Sequence, residues 1–195
     1  MGALRAGRLA VALDCATSFL ALALVEEEGV VVARRAVEVG RDHAARLVPE
    51  LSALTAGVPG WRERVALVVG GTGPGSYTGV RVALATAGGL ARSLGAELKG
   101  APTFAALAAA VLAPGEDAIV TLDARRGNVY AAYCRRAAGT AGAAPSVAIL
   151  AGPVKADAAE AGALAPGARV VPAGPPDAAA LVGAAEDGPP AAVYL

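Results

Sequence analysis

Val65-Ala66-Leu67-Val68-Val69 runs without a break into Gly70-Gly71-Thr72-Gly73-Pro74-Gly75-Ser76-Tyr77-Thr78-Gly79. A continuous apolar run of this length predicts a central strand covered on both faces. The glycines that follow predict a tight turn into a helix from about Val80 to Leu94, stopped by Gly95. Such a turn brings backbone N–H groups to a helix N-terminus, where they can hold an anion. The known anion loops do not fit, however. A Walker-type loop needs a Lys near its end, and none is present. A dinucleotide fingerprint starting at Gly71 and Gly73 would need glycine where Ser76 stands. A nucleophile elbow around Ser76 would need glycine at Pro74. The plainer reading is that the glycines let the helix pack hard on the sheet.

Upstream, Leu9–Leu13, Phe19–Val25 and Val30–Val39 predict a meander of three strands, with Glu27-Glu28-Gly29 as a hairpin turn. Arg34, Arg35 and Glu38 mark the third strand as wet on one face. A helix follows. Asp42 is placed to cap it, and Ala45, Leu47, Val48, Leu51 and Leu54 form its apolar stripe. Pro49 is expected to kink it, and Gly57 and Pro59-Gly60 end it. In the helix after the glycine segment, Ala83, Ala87 and Ala91 recur every four residues and permit close helix contact.

Downstream, Gly100-Ala101-Pro102 is the best domain boundary. Thr103 is read as the cap of a third helix holding Phe104, Leu107 and Val111. Ala118–Leu122 and Val129–Cys134 predict strands around Asp123-Ala124-Arg125-Arg126-Gly127-Asn128, and Gly139–Pro145 a loop. A helix from about Val154 to Leu164 and a strand Arg169–Val171 precede a Pro/Gly/Ala-rich end read as poorly ordered. The order of elements is that of two ribonuclease-H-like halves in an actin-like (ASKHA) α/β fold, each a mixed sheet with flanking helices. The halves are residues 1–101 and 102–195. Folds of this kind usually have a nucleotide cleft between the halves.

Composition narrows the function. The 195 residues carry 17 basic and 17 acidic side chains, a formal net charge of zero. A chain that grips nucleic acid alone usually has a basic excess, so direct high-affinity nucleic-acid binding is not favoured. Cys15 and Cys134 lie far apart, with no cysteine or histidine cluster, so no structural metal is expected. Asp14 and Glu26–Glu28 break up the apolar N-terminal run, which is too short to span a bilayer. Ala6 stands where myristoylation would want Ser or Thr. The expected place is the cytoplasm, with no membrane contact. The single histidine, His43, reads as a surface or cap residue. Asp14 reads either as a metal- or phosphate-site carboxylate or as a turn residue. Asp123 with Arg125 and Arg126 reads either as an anion site or as a solvated hairpin turn.

The segment Gly73 to Arg81, GPGSYTGVR, closely resembles the GPGS(F/Y)TG(V/L)R signature of the TsaB (YeaZ-like) family. Four further stretches match that family in order: Leu13 to Thr17 (LDCAT), His43 to Pro49 (HAARLVP), Asp123 to Tyr130 (DARRGNVY) and Val193-Tyr194-Leu195. The resemblance implies a non-catalytic scaffold with no cofactor and no metal. Such a subunit supports the paralogous catalytic subunit TsaD in placing threonylcarbamoyl on the tRNA adenosine next to the anticodon. It also implies a TsaD heterodimer, a homodimer, recruitment of TsaE, and tRNA contact only through the complex. TsaD carries an H-x-x-x-H metal motif, and the two positions here are Thr103 and Leu107. The partner face implied lies on the helices near Asp42–Ala56 and Gly79–Leu94, with His43, Leu47, Leu51, Val80, Ala83, Leu84, Ala87 and Ala91 as interface residues. On that reading Ala87→Arg blocks dimerisation. Asp14, Gly73, Gly75, Ser76, Asp123 and Arg126 are the residues of a possible nucleotide cleft. Cys15, Thr72 and Asn128 depart from the family's usual Thr, Arg and Glu. The competing readings are an actin-like ATPase, a glycoprotease-type peptidase and a stand-alone regulatory homodimer. A second glycine-rich phosphate loop and a nucleophile–base pair are lacking, which argues against the two enzymes.

Overall fold

The computed structural model describes residues 7–26, 29–139 and 142–195. The turn expected at Glu27-Glu28, the myristoylation position Ala6 and part of the loop expected at Gly139–Pro145 lie outside those residues. The first half runs β1 (Leu9–Asp14), β2 (Phe19–Glu26), β3 (Val31–Glu38), α1 (His43–Thr55), α2 (Trp61–Arg64), β4 (Val65–Gly71), α3 (Tyr77–Leu94) and β5 (Glu97–Ala101). Its five strands lie in the order β3-β2-β1-β4-β5. The β1–β2–β3 meander is antiparallel, and β4 and β5 run parallel to β1 and to each other.

Strand alternation sorts the core into two chemistries. Leu9, Val11 and Leu13 of β1 join Leu20, Leu22 and Leu24 of β2 against α1 and α3. The opposite face holds Ala12, Ala21 and Ala23, with Val25 and Val69. Large side chains thus hold off the two long helices, while small ones let elements from the other end of the chain come close. Strand β3 is an edge, and its arginines hold it to neighbours: Arg34 pairs with Asp177 at 2.8 Å and Arg35 with Glu50.

The second half runs α4 (Thr103–Val111), β6 (Asp117–Asp123), β7 (Val129–Arg136), β8 (Val147–Ala156), α5 (Ala158–Gly162), β9 (Val170–Pro172) and α6 (Ala179–Gly183). Its sheet order is β8-β7-β6-β9. Helix α4 serves both cores. Ala106 packs with the alanine face of the first sheet, and Phe104 and Leu107 pack with Ala118, Val120 and Ala132 of the second. Both halves are therefore mixed sheets flanked by helices, as the element order implies. No helix among the described residues is long and apolar enough to cross a membrane.

Several local expectations are corrected. Val154–Ala156 belongs to β8 rather than to a helix, because Gly152-Pro153 lies inside that strand instead of ending it. Strand β5 occupies the stretch read as a boundary. The alanine-rich end is ordered: Ala178–Leu181 are buried against the first sheet in and beside α6. Asp42 holds the N-cap position of α1 without a side-chain capping bond, and α1 continues through Pro49. Ala45 and Val48 face outward. Glu50 and Thr55 take inward places, Glu50 with Arg35 and Arg46 on its carboxylate. Helix α3 starts three residues earlier than expected, since the Ser76 hydroxyl accepts the Gly79 N–H. Pro102, not Thr103, is the N-cap of α4.

Candidate functional site

Asp14 ends β1 with no exposed surface. One carboxylate oxygen accepts the Ala16 N–H at 2.8 Å. The other accepts the Thr103 hydroxyl at 2.6 Å, and that hydroxyl oxygen in turn accepts the Gly73 N–H at 3.1 Å. Burial pushes the Asp14 carboxyl above its ordinary range, and these two hydrogen bonds pull it part of the way back. The glycine segment lies flat on this corner. A Cβ at Gly71 would stand 1.8 Å from an Asp14 oxygen, one at Gly75 2.3 Å from the Ala16 carbonyl, and one at Gly79 1.9 Å from the Cys15 carbonyl. Ser76 donates its N–H to that same Ala16 oxygen at 2.7 Å. The glycines thus let two backbones touch, which is the plainer of the two sequence readings. Asp14 is a turn and tie residue here, with both oxygens engaged inside the protein.

Above that corner, a cleft of about 710 Å³ separates the two halves. Its walls are Ala16–Phe19 after β1, Gly75–Tyr77 at the start of α3, Gly40 and Arg41 before α1, Leu122–Arg125 at the β6–β7 hairpin, Tyr130 and Ala173–Pro175. Asp123 folds its carboxylate back onto the Arg125 N–H at 2.7 Å, as a hairpin turn residue does. Arg125 and Arg126 follow with φ of 64° and 56°. Of the six residues proposed for a cleft, Gly75, Ser76 and Asp123 line it. Asp14 lies buried beneath it, and Arg126 is not among its walls. Gly73 faces the opposite side, where the Val193 carbonyl sits 3.0 Å from where its Cβ would be. Sequence reasoning missed Arg41; a basic side chain just before a helix start was the available signal. With Arg41 and Arg125 on opposite walls and one helix N-terminus between them, the cleft is suited to a small anion.

The expected interface residues are also redistributed. His43, Leu47, Leu51, Val80, Ala83, Ala87 and Ala91 are buried in the chain's own core, and Leu84 is half-buried against Gly70. Ala83, Ala87 and Ala91 pack on the sheet, so spacing by four reports helix–sheet contact here. Ala87→Arg would therefore force a guanidinium into the core rather than into an interface. The outward side of the same helices differs. Val48 is 63% exposed. Between α1 and α3 runs a groove of about 790 Å³, walled by Val48, Leu51, Ser52, Thr86, Gly89 and Leu90 and closed by Trp61 and Leu94 at one end. Helix α3 has only Arg81 and Arg92 as charged residues in its 18. Gly89 sits mid-helix, and a Cβ there would meet nothing within 4 Å.

His43 is buried, not at the surface, with Nε2 3.3 Å from the Phe19 carbonyl oxygen. Leu107 is fully buried in the second core, and the Thr103 hydroxyl is spent on Asp14 and Gly73. Among the described residues no group of three or more His, Cys, Asp or Glu side chains is gathered to hold a metal. Cys15 and Cys134 are free and buried. Burial pushes the Cys134 thiol up to about 12, and Cys15 is raised as well, by burial and then by Asp14.

A family model described as TsaD: tRNA N6-adenosine threonylcarbamoyltransferase matches residues 29–163. An uncharacterized protein of Mycobacterium tuberculosis is 34% identical over 126 residues, covering 64% of this chain and 58% of its own. The tRNA threonylcarbamoyladenosine biosynthesis protein TsaB of Bacillus subtilis is 32% identical over 124 residues, 62% of this chain and 52% of that one. Among solved structures, YeaZ from Pseudomonas aeruginosa superposes with a TM-score of 0.70 at 25% identity, covering 96% of this chain and 100% of that one. The chain spans 58% of the length of the mycobacterial relative and about half that of the Bacillus subtilis protein.

Proposed function

Since the chain belongs to the family described as TsaD: tRNA N6-adenosine threonylcarbamoyltransferase, and is TsaB/YeaZ-like within it, we propose that it is a non-catalytic scaffold subunit in tRNA threonylcarbamoyladenosine synthesis. It pairs with a TsaD-type catalytic subunit or with a second copy of itself, and the pair recruits TsaE. It meets tRNA only through the assembly, and it works in the cytoplasm. Residues 1–101 are the lobe that carries the partner helices, and residues 102–195 the smaller lobe.

The observation that carries this reading is Gly89. A mid-helix glycine costs about 1 kcal/mol relative to alanine. The corner glycines Gly71, Gly75 and Gly79 each leave no room for a methyl group, while a Cβ on Gly88, the mid-helix neighbour of Gly89, would meet Leu98 of β5 at ordinary contact distance, 3.8 Å. Gly89 faces open space, next to exposed Val48 and a nearly uncharged helix surface. The absent side chain is accounted for by a neighbouring backbone that comes close in the assembly. Weighing against catalysis, the only histidine is buried on a carbonyl oxygen, and Thr103 and Leu107 replace the two imidazoles of the catalytic paralogue.

The test is reconstituted tRNA modification with and without this chain, beside size-exclusion of its mixture with the catalytic subunit. Required activity and co-elution are expected, and Gly89→Arg should abolish co-elution while leaving the fold intact. Full modification without the chain, together with separate elution, would remove the scaffold reading.

A further inference from the structure

Residues 186–195 come from the second half of the chain yet dock on the first. They do so at two anchors. At one, the Glu186 N–H donates to the Gly100 carbonyl at 2.9 Å, Lys99 pairs with Asp187 at 2.8 Å, and Pro190 sits where a Cβ on Gly100 would be. At the other, the Val193 N–H donates to the Thr72 carbonyl at 2.7 Å and its carbonyl closes over Gly73. Tyr194 then lies on Tyr77 with ring centroids 4.9 Å apart, and Arg81 covers the Tyr77 ring at 3.9 Å. The hydrogen bond to Tyr194 raises the Arg81 guanidinium above its ordinary value.

The glycine segment is thus gripped from two sides. Asp14, Ala16 and Thr103 hold its inner side with buried groups. The outer side is held by residues that are only partly covered, with Val193 36%, Tyr194 48% and Leu195 45% exposed. No residue from 186 to 195 is buried, and the apolar cores are built without them. The segment covers the buried Thr72, Gly73 and Gly100 but adds no buried side chain of its own, and a segment with few buried apolar contacts opens at far lower cost than the core.

We propose that residues 186–195 form a detachable strap that fixes the first turn of α3 and so pre-organises the α1/α3 partner face. The inference rests on the scaffold reading for the partner, but not for the strap itself. With the strap docked, Tyr77 and Arg81 are immobilised and α3 presents one fixed outer surface. With the strap released, the first turn frays and assembly must pay for re-ordering it. By linkage, partner binding tightens the strap by the same factor.

Two variants test this: a chain lacking residues 189–195, and Tyr194→Ala in the full chain. Amide exchange is read at Gly79, Val80 and Arg81, and assembly by titration with the catalytic subunit and with itself. Exchange at those amides should quicken about tenfold, and assembly should weaken at least about fivefold, with the global unfolding midpoint nearly unchanged. Tyr77→Ala combined with Tyr194→Ala should be no worse than either alone. Unchanged exchange overturns the strap, and quickened exchange with undiminished assembly overturns its coupling to the partner. Should the unaltered chain assemble with nothing, the scaffold reading fails, and the strap is then judged on exchange alone.

Discussion

Thr103→Val removes one oxygen and nearly preserves the shape of the side chain. In the native protein that oxygen donates to Asp14 at 2.6 Å and accepts from Gly73 at 3.1 Å, and neither Asp14 nor Thr103 has exposed surface. Valine leaves both partners stranded. A buried group without its partner costs about 1–3 kcal/mol, and more if charged, while the added methyl returns about 0.8 kcal/mol. The expected net loss is about 2–4 kcal/mol, a large share of the roughly 5–15 kcal/mol that holds a domain together. The pH dependence has a definite sign. Asp14 has a raised folded pKa, chiefly from burial. The native state therefore holds its proton more tightly than the unfolded chain does, and stability falls as pH rises from the unfolded value toward the folded one. Thr103 is the leading opposing influence. Without it the folded pKa climbs further, and the decline continues to higher pH. Urea denaturation of both chains at pH 4 and pH 7 should give a deficit at pH 7 at least as large as at pH 4. A difference below about 0.5 kcal/mol at pH 7, or a larger deficit at pH 4, would refute the role given to this hydroxyl.

Gly71→Ala places a methyl against the Asp14 carboxylate and should destabilise by more than about 3 kcal/mol, whereas Gly89→Ala should stabilise the isolated chain by up to about 1 kcal/mol in the same melts. Glu50 has a lowered pKa from its hydrogen bonds to Arg46 and Arg35. Its contribution is present above the unfolded pKa and lost as pH falls through the folded one, so Glu50→Gln should flatten the acid side of a melting-temperature profile. Both thiols should resist alkylation at pH 8 in the native protein and react once urea unfolds it; native labelling at a free-thiol rate would contradict their burial.

The layout of two mixed sheets flanked by helices was legible because apolar runs and glycine turns are local signals. The partner face was not. Alanines spaced by four fit a neighbouring helix and a neighbouring sheet equally well, and only Gly70 of β4, pressed on Leu84 and Ala87, decides between them. Strand β8 was hidden by Gly152-Pro153, and α6 by an alanine-rich stretch between prolines. The tie from Thr103 to Asp14 spans 89 positions, and no local pattern announces a hydrogen bond of that reach. The glycines of the GPGS segment were read correctly as packing residues, because a missing side chain at a strand–helix corner has a local steric cause. The cleft residues divided for the same reason as the alanines: proximity in sequence to the corner did not fix which side of it each would face.

The alanine face of the first sheet is covered by α6, which lies near the far end of the sequence. A ribosome releases Ala12, Ala21 and Ala23 early and residues 179–183 late. Throughout that interval the alanine face, with Ala101 and Ala106 against it once they are made, still lacks Ala178, Ala179 and Leu181. Synthesis of this protein thus has a built-in waiting period, during which holding chaperones would find their substrate.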